Sequence, residues 1–254
     1  MKRRLWWMVT VLIASVVLCA VLLWQKKSQN LNEVNTTEEK TASQVKLPGN
    51  VPVPSEHKST SEPDSLWVVV SKKYPLQNSA YKPSDLVIPN VRLRADKSDE
   101  EKSVRSIVAP ALERMLGDAA KAGHALMLAS GNRGYDLQNT YYSSYVSSYG
   151  EVAADKFSAK PGQSEHQTGL ALDISYQDMR DCYLDVCFGE RPAGKWLAIN
   201  AHTYGFILRY PADKSAVTQY QYEPWHFRYV GSDLATALYK SNLTLDEAKP
   251  YLER

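Results

Sequence analysis

The sequence predicts an α+β domain, a small and mainly antiparallel sheet with flanking helices around a cleft, preceded by one N-terminal transmembrane helix. Three observations carry that expectation. Short β-type runs are mixed with segregated helical patterns, which argues against a doubly wound sheet. An uncharged run from Leu5 to Trp24 opens the chain. A polar stretch with few large apolar residues then separates that run from the rest.

The chain's 254 residues, 44% of them apolar, suit one ordinary domain with a core plus extra sequence. The formal net charge is +2 and no basic block lies inside the domain, so no nucleic-acid partner is expected. Lys2, Arg3 and Arg4 precede the apolar run, and Lys26 and Lys27 follow it. A run of about 20 apolar residues spans a bilayer core. Trp6, Trp7 and Trp24 lie near its ends, where amphipathic rings favour the membrane interface. Residues 1–24 therefore read as a basic cytoplasmic end and an anchor, with a cleaved signal peptide as the alternative. Residues 25–65 read as a flexible polar linker and 66–254 as the folded domain, held outside the cell membrane by a single pass. Outside the cell, Cys182 and Cys187 would close a short loop as a disulfide or remain two free thiols.

Within the domain, Leu66–Val70 is a β-branched run that reads as a strand. A helix is expected over 103–123, interrupted or started at Pro110 and stopped at Gly123. Ala125–Ala129 reads as a buried strand, and Asp136–Tyr149 as a helix. Residues 170–175 alternate, so Leu172 and Ile174 face the core while Asp173 and Ser175 face away. Lys195–Tyr204 is a further helix, stopped at Gly205. Phe206–Tyr210 and Trp225–Val230 are strand candidates, and two short helices close the chain.

The chemistry concentrates in Ser164-Glu165-His166-Gln167-Thr168-Gly169-Leu170-Ala171-Leu172-Asp173, answered by Glu223-Pro224-Trp225-His226. Two imidazoles and a carboxylate supply three metal ligands and leave one carboxylate as a base. A hydrolytic zinc site needs that set, with water in the fourth position. A carboxylate in an apolar strand, as Asp173 is, needs a partner or a metal to offset desolvation.

The ordered pattern Ser-x-His-x-x-Gly-x-Ala-x-Asp followed by Glu-x-x-His resembles the zinc D-alanyl-D-alanine carboxypeptidases of the VanY type, with their relatives the D,D-dipeptidases and L,D-carboxypeptidases. The likeness extends upstream to Ser130-Gly131-Asn132-Arg133-Gly134-Tyr135 and Gln138, and downstream through Tyr204–Pro211 to Gly231. It implies a zinc cleft with His166, Asp173 and His226 as ligands and Glu223 as general base. It further implies Arg133 as the cation facing the developing oxyanion, and Ser164, Gln138 and Tyr135 as substrate-positioning groups. His202 reads as structural. Asn132, Gly134 and Gln219 depart from the family pattern at loops bordering the cleft, which bears on substrate preference.

The implied activity is removal of the terminal D-alanine from peptidoglycan stem peptides. The D,D reading comes first, and the L,D reading on tetrapeptide stems second. A wall-peptide binding module without turnover is the competitor, and the presence of all three ligands and the base argues against it. A serine hydrolase built on Ser164 lacks both the G-x-S-x-G and S-x-x-K contexts.

Overall fold

Four antiparallel strands form the sheet on which the His166–Asp173 and Glu223–His226 motifs meet: β1 (Leu126–Ser130), β2 (Ala171–Tyr176), β3 (Phe206–Leu208) and β4 (His226–Tyr229). Their spatial order is β1-β2-β4-β3. The computed structural model describes residues 23–27, 45–178 and 182–253. The expected membrane anchor lies outside the described residues apart from Leu23 and Trp24, which open a short helical stretch to Lys27. Among the described residues no helix is long and apolar enough to cross a membrane.

The sheet's register is set where it matters. Leu128 pairs with Ile174, a shift in register follows, and Ser130 then pairs with Asp173. On the other edge of β2, Asp173 pairs with His226 and Leu172 with Phe227. Leu172, Ile174 and Phe227 are fully buried in the main core, as period-2 alternation requires. Around the sheet stand α1 (Ala109–Lys121), α2 (Tyr135–Tyr149), α3 (Pro192–Asn200), α4 (Ser232–Ser241) and α5 (Leu245–Leu252). Leu112, Met115 and Ala119 give α1 a buried face. In α2 only Gln138 is buried.

Several elements differ from expectation, among them the helix expected over Lys195–Tyr204, which spans Pro192–Asn200. The helix expected from 103 begins at Ala109, because Pro110 lacks an N–H and fits only its first turn. Val104–Arg105 ahead of it pairs instead with Leu86–Val87. Leu66–Val70 is not a strand: Trp67 through Val70 are buried, yet their polar groups find scattered partners instead of a ladder. Val69 N–H donates to Thr60 O at 2.9 Å and the Trp67 indole to Val230 O at 3.1 Å. A short β-branched run is thus buried by the core from both sides without needing a neighbouring strand.

The linker expected to reach residue 65 ends earlier, since the compact unit begins at Val45. Lys46–Leu47 and Val51–Pro52 pair antiparallel. Leu47 and Val53 then enter a second apolar cluster with Leu234, Leu238, Leu245 and Leu252 of α4 and α5. Two apolar anchors in an otherwise polar stretch were enough to order it. A chain starting at Leu66 loses both side chains, each worth about 1.5–3 kcal/mol of burial. It is expected to melt at least ~6 °C below one starting at Val45, measured by calorimetry; equal midpoints would show that the hairpin contributes nothing.

Candidate metal centre and active site

Each ligand position has a local cause. His166 sits in the 3-10 turn Glu165–Thr168, closed by Gly169 in the left-handed region (φ 65). A Cβ at Gly169 would meet Arg105 Cγ at 2.9 Å, so only glycine ends the turn there. His166 Nδ1 donates to Gly131 O at 2.6 Å, which turns Nε2 inward. Gly131 is itself obligatory, because a Cβ would lie 2.2 Å from Ser103 O. Asp173 and His226 face one another across β2 and β4.

The three side chains converge. His166 Nε2 lies 3.4 Å from Asp173 Oδ2, and His226 Nδ1 lies 3.3 Å from Asp173 Oδ1. One ligand atom from each falls within 4.8 Å of the others, and all three residues are buried. Asp173 Oδ1 has no hydrogen-bond partner, a cost that a cation would relieve. Two nitrogens and one carboxylate oxygen at the wall of a cleft are a zinc donor set. Burial opposes charge on Asp173, but His166 and His226 hold its carboxyl well below the usual range. Burial lowers the His166 pKa, favouring the neutral ring that ligates. Burial pulls His226 down too, yet the carboxylates of Asp173 and Glu165 beside its ring carry it up to about 9.

Glu223 Oε2 is 3.7 Å from His226 Nδ1. The turn that ends at His226 places it, with His226 N–H donating to Glu223 O at 3.1 Å. Burial pushes the Glu223 carboxyl up to about 8. Arg133 follows β1, its Nη2 4.0 Å from Asp173 Oδ2 and its guanidinium 5.5 Å from the Tyr141 ring centroid. A cleft of about 310 Å³ opens over these groups. Seven of the eight residues singled out from sequence line it: Arg133, Gln138, Ser164, His166, Asp173, Glu223 and His226. Gln138 donates to Ala159 O at 2.6 Å and leaves its own oxygen buried and unpaired. The eighth, Tyr135, is 37% exposed at the start of α2 and outside that lining. Tyr210, Tyr220 and Trp225 supply aromatic wall instead. His202 is structural as expected, stacked on Tyr239 at 4.1 Å.

Glu165 was missed as a functional residue. Its Oε2 lies 3.7 Å from His226 Nε2, on the ring edge opposite the ligand nitrogen. Its Oε1 accepts from Arg209 Nε at 2.8 Å and Arg228 Nη1 at 2.9 Å. Arg209 Nη1 in turn donates to Asp246 Oδ2 of α5 at 2.6 Å. Both arginine side chains are fully buried. The signal was present: arginines inside the apolar runs 206–210 and 226–230 require buried carboxylates, and Glu165 stands inside the motif.

The match to known proteins agrees with this geometry. The family model VanY, D-alanyl-D-alanine carboxypeptidase, matches residues 101–232. YodJ of Bacillus subtilis (strain 168) is 38% identical over 236 residues, covering 88% of this chain and 86% of that protein. The solved LdcB LD-carboxypeptidase aligns with a TM-score of 0.70 at 39% identity, covering 82% of this chain and 97% of that one. A mutant of the vancomycin-resistance D,D-pentapeptidase VanY, solved in complex with Zn(II), aligns with a TM-score of 0.56 at 29% identity, covering 73% and 98%. Zinc is the cofactor that the His166, Asp173 and His226 set fits. Outer partners of ligating histidines typically contribute 10- to 100-fold in metal affinity, so Glu165→Gln is expected to weaken zinc binding by about that factor in a chelator competition. Unchanged affinity would mean that His226 needs no such partner. With its motifs in order, its ligands converged and more than half of its length matched, the chain belongs to the VanY family of carboxypeptidases.

Proposed function

We propose that this protein is a zinc carboxypeptidase that releases the terminal D-alanine from peptidoglycan stem peptides. The observation that carries the reading is a buried carboxyl, Glu223, beside three converged ligands at the floor of an open cleft. Zinc held by His166, Asp173 and His226 would supply a Lewis acid for the scissile carbonyl and would lower the pKa of a water toward neutrality. Glu223 accepts the proton of the attacking water and returns it to the leaving amine of D-alanine. Arg133 supplies a fixed cation toward the oxygen on which negative charge develops. Gln138, anchored through its amide nitrogen, presents an acceptor, and Ser164 a hydroxyl, to the substrate backbone.

Sequence motifs alone put D,D cleavage of pentapeptide stems first. The likeness to the LD-carboxypeptidase, higher in identity and in the share of this chain covered than that to the D,D-pentapeptidase, supports L,D cleavage of tetrapeptide stems as the main activity. The D,D reading stays second, supported by the family description. The apolar run Leu5–Trp24 and a disulfide between Cys182 and Cys187 support a domain anchored on the outer face of the cell membrane.

Zinc-loaded protein is expected to remove one alanine from a tetrapeptide stem faster than from a pentapeptide stem, with product masses as the readout. The reverse order would restore the D,D reading, and no cleavage of either by zinc-loaded protein would sink both. Glu223→Gln should lower kcat at least ~100-fold with zinc retained, and Arg133→Ala should lower it about 100-fold. A base acts when ionised, so the rate should fall as pH drops through the Glu223 pKa. Zinc's charge favours the ionised form, so the midpoint of this acidic limb should lie below the value of about 8 that burial and the neighbouring side chains give without the metal. A midpoint above that value would exclude Glu223 as the base.

A further inference from the structure

The loop between β2 and α3 belongs to none of the motifs, yet it reaches the cleft. Cys182 and Cys187, at a sequence separation of 5, are joined by a disulfide with Cα atoms 5.3 Å apart. Inside that ring, Leu184 lines the cleft. It is the one branched aliphatic side chain among the described residues of the lining. Its other side packs on the main core, as does Cys182, and it remains half-buried.

The ring holds a backbone that an open loop would abandon. Cys182 (φ 61) and Leu184 (φ 45) both occupy the left-handed region, which side-chain-bearing residues rarely adopt. Such conformations persist only where their surroundings over-determine them. The surroundings here are specific. Arg94 Nη1 donates to the Tyr183 hydroxyl, and the Arg94 guanidinium lies 4.9 Å from the Tyr183 ring centroid. Arg94 is fixed in turn by Asp96 at 2.6 and 2.8 Å. Cys187 N–H donates to Asp185 Oδ1 at 2.9 Å, and Arg191 Nε to Cys182 Sγ at 3.3 Å. Disulfide, phenol and carboxylate all clamp the residues around Leu184 while Leu184 itself keeps an open side.

We propose that the Cys182–Cys187 ring is a specificity device: it sets Leu184 as an apolar wall against alkyl groups flanking the scissile bond of the substrate. The proposal rests on the carboxypeptidase reading of the same cleft. Zinc, Glu223 and Arg133 handle the polar atoms of the reacting peptide. Leu184 can discriminate only among the carbon side chains beside it, so it acts on affinity and not on the chemical step. A single apolar contact of this kind changes discrimination by about 10- to 200-fold.

The test uses the zinc-loaded full chain with a tetrapeptide stem as substrate. Leu184→Ala, disulfide intact, is expected to raise KM about tenfold while kcat stays within about twofold. The double variant Cys182→Ser with Cys187→Ser should raise KM by at least as much, with zinc content unchanged. Equilibrium binding of the same peptide, measured in a Glu223→Gln background, should weaken in parallel. If the double variant fails to fold, Leu184→Ala decides alone. An unchanged KM and affinity in Leu184→Ala, or a lowered melting temperature as the only effect of removing the disulfide, would overturn the wall. Parent protein that neither binds nor cleaves the tetrapeptide stem or a pentapeptide stem would overturn the functional reading and the wall with it.

Discussion

The site depends on one cross-strand register, the pairing of Asp173 on β2 with His226 on β4. Directly opposed residues place their Cβ atoms about 4.5–5.5 Å apart on one face of a sheet. Two ligands therefore meet without either belonging to a flexible loop. A slip of one residue would turn Asp173 into the core and Leu172 into the cleft. Leu172, Ile174 and Phe227, each fully buried, oppose such a slip. The hydrophobic pattern of two strands thus does the metal centre's positioning.

The third ligand comes from a turn, and its precision has a different origin. His166 is oriented by a backbone carbonyl, Gly131 O, on the loop that leaves β1. That loop must run against Ser103, which excludes a side chain at position 131. The same loop then carries Arg133, whose N–H donates to His166 O at 3.2 Å. Ligand and candidate oxyanion partner are mutually braced, so a shift in one displaces the other.

Beneath the ligands lies a buried ionic layer of Glu165, Arg209, Arg228 and Asp246. Desolvating such charges costs several kcal/mol per ion, and pairing offsets that cost only with good geometry. The layer is therefore weak evidence for stability and stronger evidence for specificity. It joins the His166 turn, the end of β3, strand β4 and α5 around one carboxylate that faces the ligand ring of His226. Arg228 Nη2 also donates to Leu66 O at 3.0 Å, which ties in the segment that forms no strand. The region around Leu66 is ordered by this contact and by the Trp67 indole, not by β pairing.

The sequence by itself determined the fold class, three of the four sheet strands nearly to their ends, and the ligand set, because period-2 burial and motif order are local in the chain. His166, Asp173, His226 and Glu223 were legible for the same reason: their residue types and spacing limit what else they can do. Tertiary structure decided what depends on distant partners. Leu66–Val70 resembled a strand by composition, but no strand runs beside it. Leu47 and Val53 ordered a stretch that looked like linker, because an apolar cluster on α4 and α5 was there to receive them. Tyr135 held a motif position yet stands outside the cleft lining, while Glu165 became an outer support of the metal centre. Whether Cys182 and Cys187 bond was open from their spacing alone, since spacing does not fix Cα distance. Composition and periodicity report what a residue can bury or bind; only the packed chain supplies the neighbour that makes it do so.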